Sequence, residues 1–264
     1  MILECIPEYR DAEAWAQIAE QNGLCFEYNE FFQPSVLDDR ALVSEIVKTY
    51  KGLGRNTTLD TLHGAFLDIT VSSSDPLIRK ASDYRVKQSI EIAGELGVRG
   101  VVFHTNYLSD FKSKAYRDRW AERNIEYWNG ICRSYPDVNI YLENMFDDTP
   151  DLLRRVAEGM SDVSNFGVCL DIAHAYLSQA SVKDWTEALT GHIRHIHLND
   201  NDGQEDLHLP IGSGKIDWSV LKDPALLSCD PSVLIEVSGR DRLMKSLQFL
   251  RSVSFPSRKK EVSE

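Results

Sequence analysis

Histidines and carboxylates stand at the ends of short apolar runs along this chain of 264 residues. Thr61-Leu62-His63, Val101-Val102-Phe103-His104 and Cys169-Leu170-Asp171-Ile172-Ala173-His174 each close on an imidazole. The segment His195-Ile196-His197-Leu198-Asn199-Asp200 does the same and runs on to Asp206-Leu207-His208. Ile140-Tyr141-Leu142-Glu143 and Val233-Leu234-Ile235-Glu236 end in carboxylates. Imidazoles and carboxylates delivered by successive strand ends to one rim are what a site for Zn²⁺, Mn²⁺ or a similar divalent ion requires. A lone histidine after an apolar run is ordinarily a hydrogen-bonded structural residue, but six runs ending alike make a metal site the better reading. The candidate ligands are His63, His104, Glu143, Asp171 at the end of strand six, His174 three residues later in the following loop, His197, Asp206, His208 and Glu236. A catalytic zinc takes three protein ligands plus water, so this set suffices for one to three ions if a carboxylate bridges. Asp206 and His208 form a compact pair, because alternate residues of an extended segment point to the same side.

The elements needed to bring these ends together follow from hydrophobic patterning. Strand-like runs lie near residues 2–6, 23–28, 58–63, 100–104, 138–143, 166–171, 193–198 and 233–237. Helical patterns fill residues 11–21, 38–51, 76–96, 113–134, 150–160, 182–190, 217–226 and 239–252. Eight alternating units are the repeat of an α/β chain folded as a (β/α)₈ barrel. Asp75-Pro76 and Thr149-Pro150-Asp151 suit helix starts, while Gly97 and Gly191 suit helix ends. A doubly wound sheet would spread the ligand-bearing strand ends apart, whereas a barrel gathers them at its C-terminal face. No linker-like stretch divides the chain, which predicts one domain over 1–254 and a polar tail over 255–264.

Composition narrows the function classes. No apolar run approaches the ~20 residues of a membrane span, and the N-terminus has no secretory pattern. The five cysteines are scattered without CxxC spacing, which predicts reduced thiols in a cytoplasmic protein. A net charge of −12 opposes nonspecific binding to polyanions, although several ions in one cleft would reverse the local field.

In Leu62-His63-Gly64-Ala65-Phe66, Leu142-Glu143-Asn144, Gly167 to Ala175, His197-Leu198-Asn199-Asp200, Asp206 to Gly214 and Leu234-Ile235-Glu236, the chain resembles the xylose-isomerase-like barrels. That family includes endonuclease IV and the sugar and sugar-phosphate isomerases and epimerases. The resemblance covers nearly the whole chain and implies a four-ligand core of Glu143, Asp171, His197 and Glu236. The endonuclease IV pattern adds His63, His104, His174, Asp206 and His208. It implies a three-zinc site in which Glu143 bridges two ions and His174, Asp206 and His208 hold the third.

Two reactions fit such a rim. In isomerisation or epimerisation of a small sugar, sugar acid or sugar phosphate, Glu143 and Glu236 would carry the proton on opposite sides of the substrate. In phosphodiester or phosphomonoester cleavage, clustered ions would activate hydroxide and stabilise the leaving oxygen. The full ligand set favours the second on chemistry alone. The acidic surface, the sparse cations at the strand ends (Lys112, Lys114, Lys215, Arg240) and the acidic, apolar loop Asn29 to Pro34 favour the first. So do the stretches after strand seven, which are similar to those of sugar isomerases, although Gly203-Gln204 stands where ketose epimerases carry an arginine. Sequence alone therefore ranks the sugar reaction first, with a small carbohydrate as partner and nucleic acid as the alternative. His174, Lys215 and Phe66 are the expected substrate contacts, with Phe66-Leu67 resembling the DNA wedge of endonuclease IV.

Other residues invite quieter readings. His192 and His195 flank strand seven in structural roles, with His195 able to share the face of His197. Asp200 and Asp202 could orient histidine ligands or belong to a polar loop. Glu27 could face the pocket or form an ion pair. Phe26, Tyr28, Phe31 and Phe32 pack a barrel mouth or stack on a sugar. Trp120, Tyr127 and Trp128 recur at helical spacing and belong to the core or to a subunit contact.

Overall fold

The computed structural model describes residues 1–66 and 68–255, so Leu67 of the expected wedge and the tail from 256 lie outside the described residues. Eight parallel strands close a barrel in chain order: β1 (Leu3–Cys5), β2 (Cys25–Tyr28), β3 (Thr61–His63), β4 (Gly100–His104), β5 (Asn139–Glu143), β6 (Phe166–Asp171), β7 (Ile193–Leu198) and β8 (Ser232–Ile235). β1 pairs with both β2 and β8, which closes the ring. The fold is the (β/α)₈ barrel expected from the alternation.

Helices α1 (Ala12–Asn22), α2 (Pro34–Leu37), α3 (Arg40–Gly52), α4 (Pro76–Leu96), α5 (Lys114–Ser134), α6 (Asp151–Gly159), α7 (Ile172–Leu177), α8 (Val182–Ala188) and α9 (Arg240–Ser252) form the connections. Their ends follow local chemistry. Asp75 caps α4 by accepting from the Leu77 amide at 2.8 Å, with Pro76 in the first turn where its missing N–H costs nothing. Gly97 closes α4 at φ 72°, a left-handed conformation that glycine adopts without strain. Trp15, Trp120, Trp128 and Trp185 are fully buried, as expected for Trp120 and Trp128.

Three expectations need correction. The helix expected over 217–226 is only a short 3₁₀ turn, Trp218–Lys222, because Asp223 precedes Pro224 and is held extended at ψ 119°. His174 sits in the first turn of α7 rather than in a loop, since the Asp171 carboxylate caps that helix by accepting from the His174 amide at 2.6 Å. Phe255, assigned to the tail, is buried and its amide bonds the Leu250 carbonyl at 3.0 Å. No helix among the described residues is long and apolar enough to cross a membrane.

Strand register sets the level of each ligand. His104 pairs with Glu143 and Asp171 pairs with His197, so these four lie side by side across β4–β5 and β6–β7. The period of two then places Val102, Tyr141, Cys169 and His195 on the same inward face, one level deeper. Val102, Tyr141 and Cys169 form a small packed cluster of their own inside the barrel. The ligand layer thus rests on a filled interior, as barrel cores require.

Candidate metal centre

All nine candidate ligands converge at the C-terminal rim. His63 Nε2 and His104 Nε2 are 3.2 Å apart, and His104 Nε2 is 3.0 Å and His63 Nε2 3.7 Å from Glu143 Oε2. Two nitrogens held by one tetrahedral ion at ~2.0–2.1 Å stand about 3.3 Å apart, so this spacing is that of donors sharing a cation. On the other side of Glu143, its Oε1 lies 3.2 Å from His197 Nδ1, which is 3.6 Å from Glu236 Oε2. Asp171 completes that group with Glu143 and His197, their ligand atoms all lying within 4.8 Å of one another. A third group shares Asp206 Oδ2, which is 3.3 Å from His174 Nε2 and 3.1 Å from His208 Nε2. Glu143 belongs to the first two groups, and its Oε1 lies 3.6 Å from His174 Nδ1.

The imidazoles are pinned so that one nitrogen faces inward. His63 Nδ1 meets the Gly64 carbonyl at 3.1 Å, His174 Nδ1 the Asn144 carbonyl at 2.9 Å and His208 Nδ1 the Glu236 carbonyl at 3.2 Å. A carbonyl can only accept, so Nδ1 carries the proton in each neutral ring and Nε2 keeps its lone pair for a ligand. Among the described residues, both Glu143 oxygens and both His197 ring nitrogens are buried without a hydrogen-bond partner. Buried polar atoms are ordinarily paired, and a divalent ion would satisfy these.

Charge in the cluster is already split between the two kinds of donor. Burial would raise the Glu143 carboxyl, but His197 and His104 outweigh it and hold it well below the usual carboxylate range. Burial opposes protonation of His174, yet Asp171, Asp206 and Glu143 push it well above the usual imidazole value. Asp171 itself is raised to about 7, chiefly by burial.

Two asparagines that sequence reasoning missed hold Asp171 and Glu236 in place, one through their carboxylates and one through the Asp171 backbone. Asn199 Nδ2 donates to Asp171 Oδ2 at 3.1 Å and to Glu236 Oε2 at 3.0 Å. Asn144 clamps β6 by giving Nδ2 to the Asp171 carbonyl at 3.0 Å and accepting from the Asp171 amide at 2.9 Å. Each lies next to a ligand or within two residues of one, and that proximity was the available signal.

A cavity of about 180 Å³ opens over the cluster. His63, His104, His174, Asp206, His208 and Glu236 form its polar wall, and Phe32, Phe66 and Met145 its apolar one. Phe66 packs edge-on against His104 at 4.7 Å and against Phe32 at 5.7 Å. Of the four aromatics near β2, Phe26, Tyr28 and Phe31 are core residues, and Phe32 reaches the cavity. Glu143, expected to carry a proton to and from substrate, is fully buried and does not line the cavity. It lies underneath, between imidazoles.

Lys215 is exposed and does not line the cavity either. The loop before it, Gly212-Ser213-Gly214, has its amides engaged: the buried Asp200 carboxylate takes those of Gly212 and Gly214, and the Pro210 carbonyl takes that of Ser213 at 2.9 Å. Asp200 accepts from the amides of Gly212 (3.0 Å), Gly214 (2.9 Å) and Ile216 (3.2 Å) and from Trp218 Nε1 (2.9 Å). Asp202 accepts from the amides of Gln204 and Glu205, which makes it a turn residue. Replacing Asp200 by alanine is expected to cost about 3 kcal/mol, since it strands several buried donors at once. Urea unfolding with an unchanged midpoint would contradict that role.

The chain matches the family of xylose isomerase-like TIM barrels over residues 16–253. Probable endonuclease 4 of Mycobacterium leprae is 30% identical over 203 residues, covering 72% of this chain and 77% of that protein. Among solved structures, the TTHB071 protein of Thermus thermophilus, soaked with ZnCl₂, superposes with a TM-score of 0.75 at 25% identity, covering 98% and 100% of the two chains. A D-tagatose 3-epimerase-like protein superposes with a TM-score of 0.74 at 22% identity over 96% of each chain. The matched span takes in every strand from β2 to β8 with all nine rim residues, and this chain belongs to the xylose isomerase-like TIM barrel family.

Proposed function

We propose that this chain is a divalent-metal-dependent hydrolase of phosphate esters, working through a cluster of two or three ions. The observation that carries this reading is Glu143, buried beneath the cavity with one oxygen in each of two donor groups. A carboxylate so enclosed is placed to bridge two ions and would have no direct path to a carbon-bound proton. The similarity to probable endonuclease 4 supports the same choice, while the epimerase-like neighbour, at 22% identity, speaks for the fold. The five-imidazole donor set suits Zn²⁺ better than Mn²⁺.

Bound ions would supply a hydroxide nucleophile at neutral pH and stabilise charge on the phosphoryl and leaving oxygens. His63, His104 and Glu143 would hold one ion, and Glu143, Asp171, His197 and Glu236 the second. His174, Asp206 and His208 would hold a third at the cavity wall. Among the described carboxylates of the two groups joined through Glu143, Glu236 is the one that lines the cavity, which makes it the group placed to accept a proton from substrate or water. Phe32, Phe66 and Met145 narrow the mouth and exclude water. Five free cysteines suit a reducing compartment, the cytoplasm.

Sugar isomerisation is the second reading, favoured by one observation: among the described residues no lysine or arginine lines the cavity. One paired assay separates the two. Metal-loaded protein is offered phosphodiesters, abasic-site DNA included, and separately mixed ketoses in D₂O. Phosphoester cleavage abolished by His208→Ala, without deuterium uptake, is the expected result. Deuterium entering a ketose beside its carbonyl, with phosphoesters left intact, would overturn it.

A further inference from the structure

Beneath the ligand layer the barrel interior is charged, which is costly unless every group there has a partner. Glu27 on β2 is fully buried. Its Oε2 accepts from Thr61 Oγ1 at 2.7 Å and lies 3.0 Å from His195 Nε2, while His195 Nδ1 meets Ser232 Oγ at 2.5 Å. Its Oε1 has no hydrogen-bond partner and lies 3.3 Å from His197 Nε2, which also has none. Each of these two orphaned atoms is therefore the other's counterpart.

His197 is unlike the other pinned imidazoles. His63, His174 and His208 give Nδ1 to a backbone carbonyl and keep Nε2 for the cluster. His197 is turned over, with Nδ1 towards Glu143 and Glu236 and Nε2 towards a full negative charge. From these contacts we infer that Glu27 is a positioning residue, which fixes the flipped ring of His197 and strengthens Nδ1 as a metal donor. A carboxylate behind a ligating imidazole sets its tautomer and raises its basicity more than a neutral carbonyl does. Thr61 and His195 are the braces that keep Glu27 in place. The inference rests on the metal-cluster reading of the rim and is independent of which ester or sugar is turned over.

The test is Zn²⁺ affinity, measured by competition with a chromophoric chelator, together with the visible spectrum of the Co²⁺-loaded protein. Wild type is compared with Glu27→Gln, Glu27→Ala and Tyr141→Phe. Tyr141 stacks on His195 at 5.4 Å and belongs to this interior layer, and its variant removes only a hydroxyl, so it reports general loosening. Glu27→Ala is expected to weaken one Zn²⁺ position by about 10–100-fold, as loss of such an outer partner does. Glu27→Gln keeps the volume and an acceptor but not the charge, and is expected to fall in between with an altered Co²⁺ spectrum. Tyr141→Phe should stay within about twofold of wild type, since it keeps the ring that stacks on His195 and leaves the hydrogen bonds of Glu27 to Thr61 and His195 in place. Should the alanine variant fail to fold, the isosteric glutamine variant carries the test alone. Wild-type affinity in both Glu27 variants, or an equal loss in Tyr141→Phe, would overturn the role of Glu27. A wild type that takes up no ion would overturn the cluster itself.

Discussion

Glu143→Ala is expected to lower turnover by about 10⁴-fold, equivalent to ~5.4 kcal/mol of transition-state stabilisation. Two donor groups lose their common member at once, since one Glu143 oxygen faces His104 at 3.0 Å and the other faces His197 at 3.2 Å. Metal content should drop with activity, because Glu143 would be a ligand shared by the first two ions. The far-ultraviolet circular dichroism should stay that of an intact barrel, the strands being closed by backbone pairing that does not involve this side chain. A variant that keeps wild-type metal content and turnover would exclude Glu143 as the bridge. Asp206→Ala, by contrast, should remove only the outermost ion, because among the described residues Asp206 meets His174 and His208 and no other candidate ligand.

Metal binding is expected to expel protons and to strengthen steeply with pH. Metal-free, the cluster neutralises its carboxylates with protonated imidazoles. The Glu236 carboxylate, against the opposing effect of burial, pushes His208 up to about 10 with help from Asp206. Burial disfavours charge on His197, yet Glu143, Glu27 and Glu236 around it outweigh this and raise it well above the usual value. An ion must displace these protons before it can take the nitrogens. Each displaced proton makes apparent affinity rise about tenfold per pH unit, so two or three give on the order of 10²–10³-fold per unit near neutrality. Calorimetric titration in buffers of different ionisation heat counts them directly; affinity independent of pH would contradict the assignment.

The stability of the metal-free protein should run the other way. A histidine whose folded value is raised contributes stability that is complete below its unfolded value, ~6.5. For His208 that contribution is lost as pH rises through about 10, and His174 and His197 behave alike. Asp206 is depressed against the effect of burial by hydrogen bonds to His174 and His208, so its share is present above ~3.9 and lost as pH falls below it. Metal-free protein should therefore melt highest between about pH 4 and 5, because the raised Asp171 carboxyl loses its own share as pH climbs from ~3.9 to about 7. The gain in melting temperature on adding Zn²⁺ should grow above that window.

Much of this centre is legible in the sequence because a barrel strand is a short apolar run whose last inward residue must lie at the rim. His63, His104, Glu143, Asp171, His197 and Glu236 can be placed from that rule alone. What stays hidden depends on residues far apart in the chain. Alternation points to a shared face for His195 and His197, but the partner of His195, Glu27, lies 168 residues away across the barrel interior. Asp200 reads as part of a polar loop until the segment from Gly212 to Trp218 folds back and spends its donors on that one carboxylate. His174 reads as a loop residue because Asp171, itself read as a ligand, is also the cap that starts α7. Lys215 beside two glycines suggests a phosphate loop; only the fold shows the neighbouring amides already engaged. Glu143 reads as a proton carrier because burial beneath the cavity is invisible in one dimension.

Elemental analysis of protein dialysed against metal-free buffer after loading with Zn²⁺ bears most directly on the cluster. With three donor groups at the rim, two of them joined through Glu143, two to three equivalents of zinc per chain should remain. Less than one equivalent of any transition metal, with no uptake on renewed addition, would contradict the assignment of the nine rim residues as metal ligands.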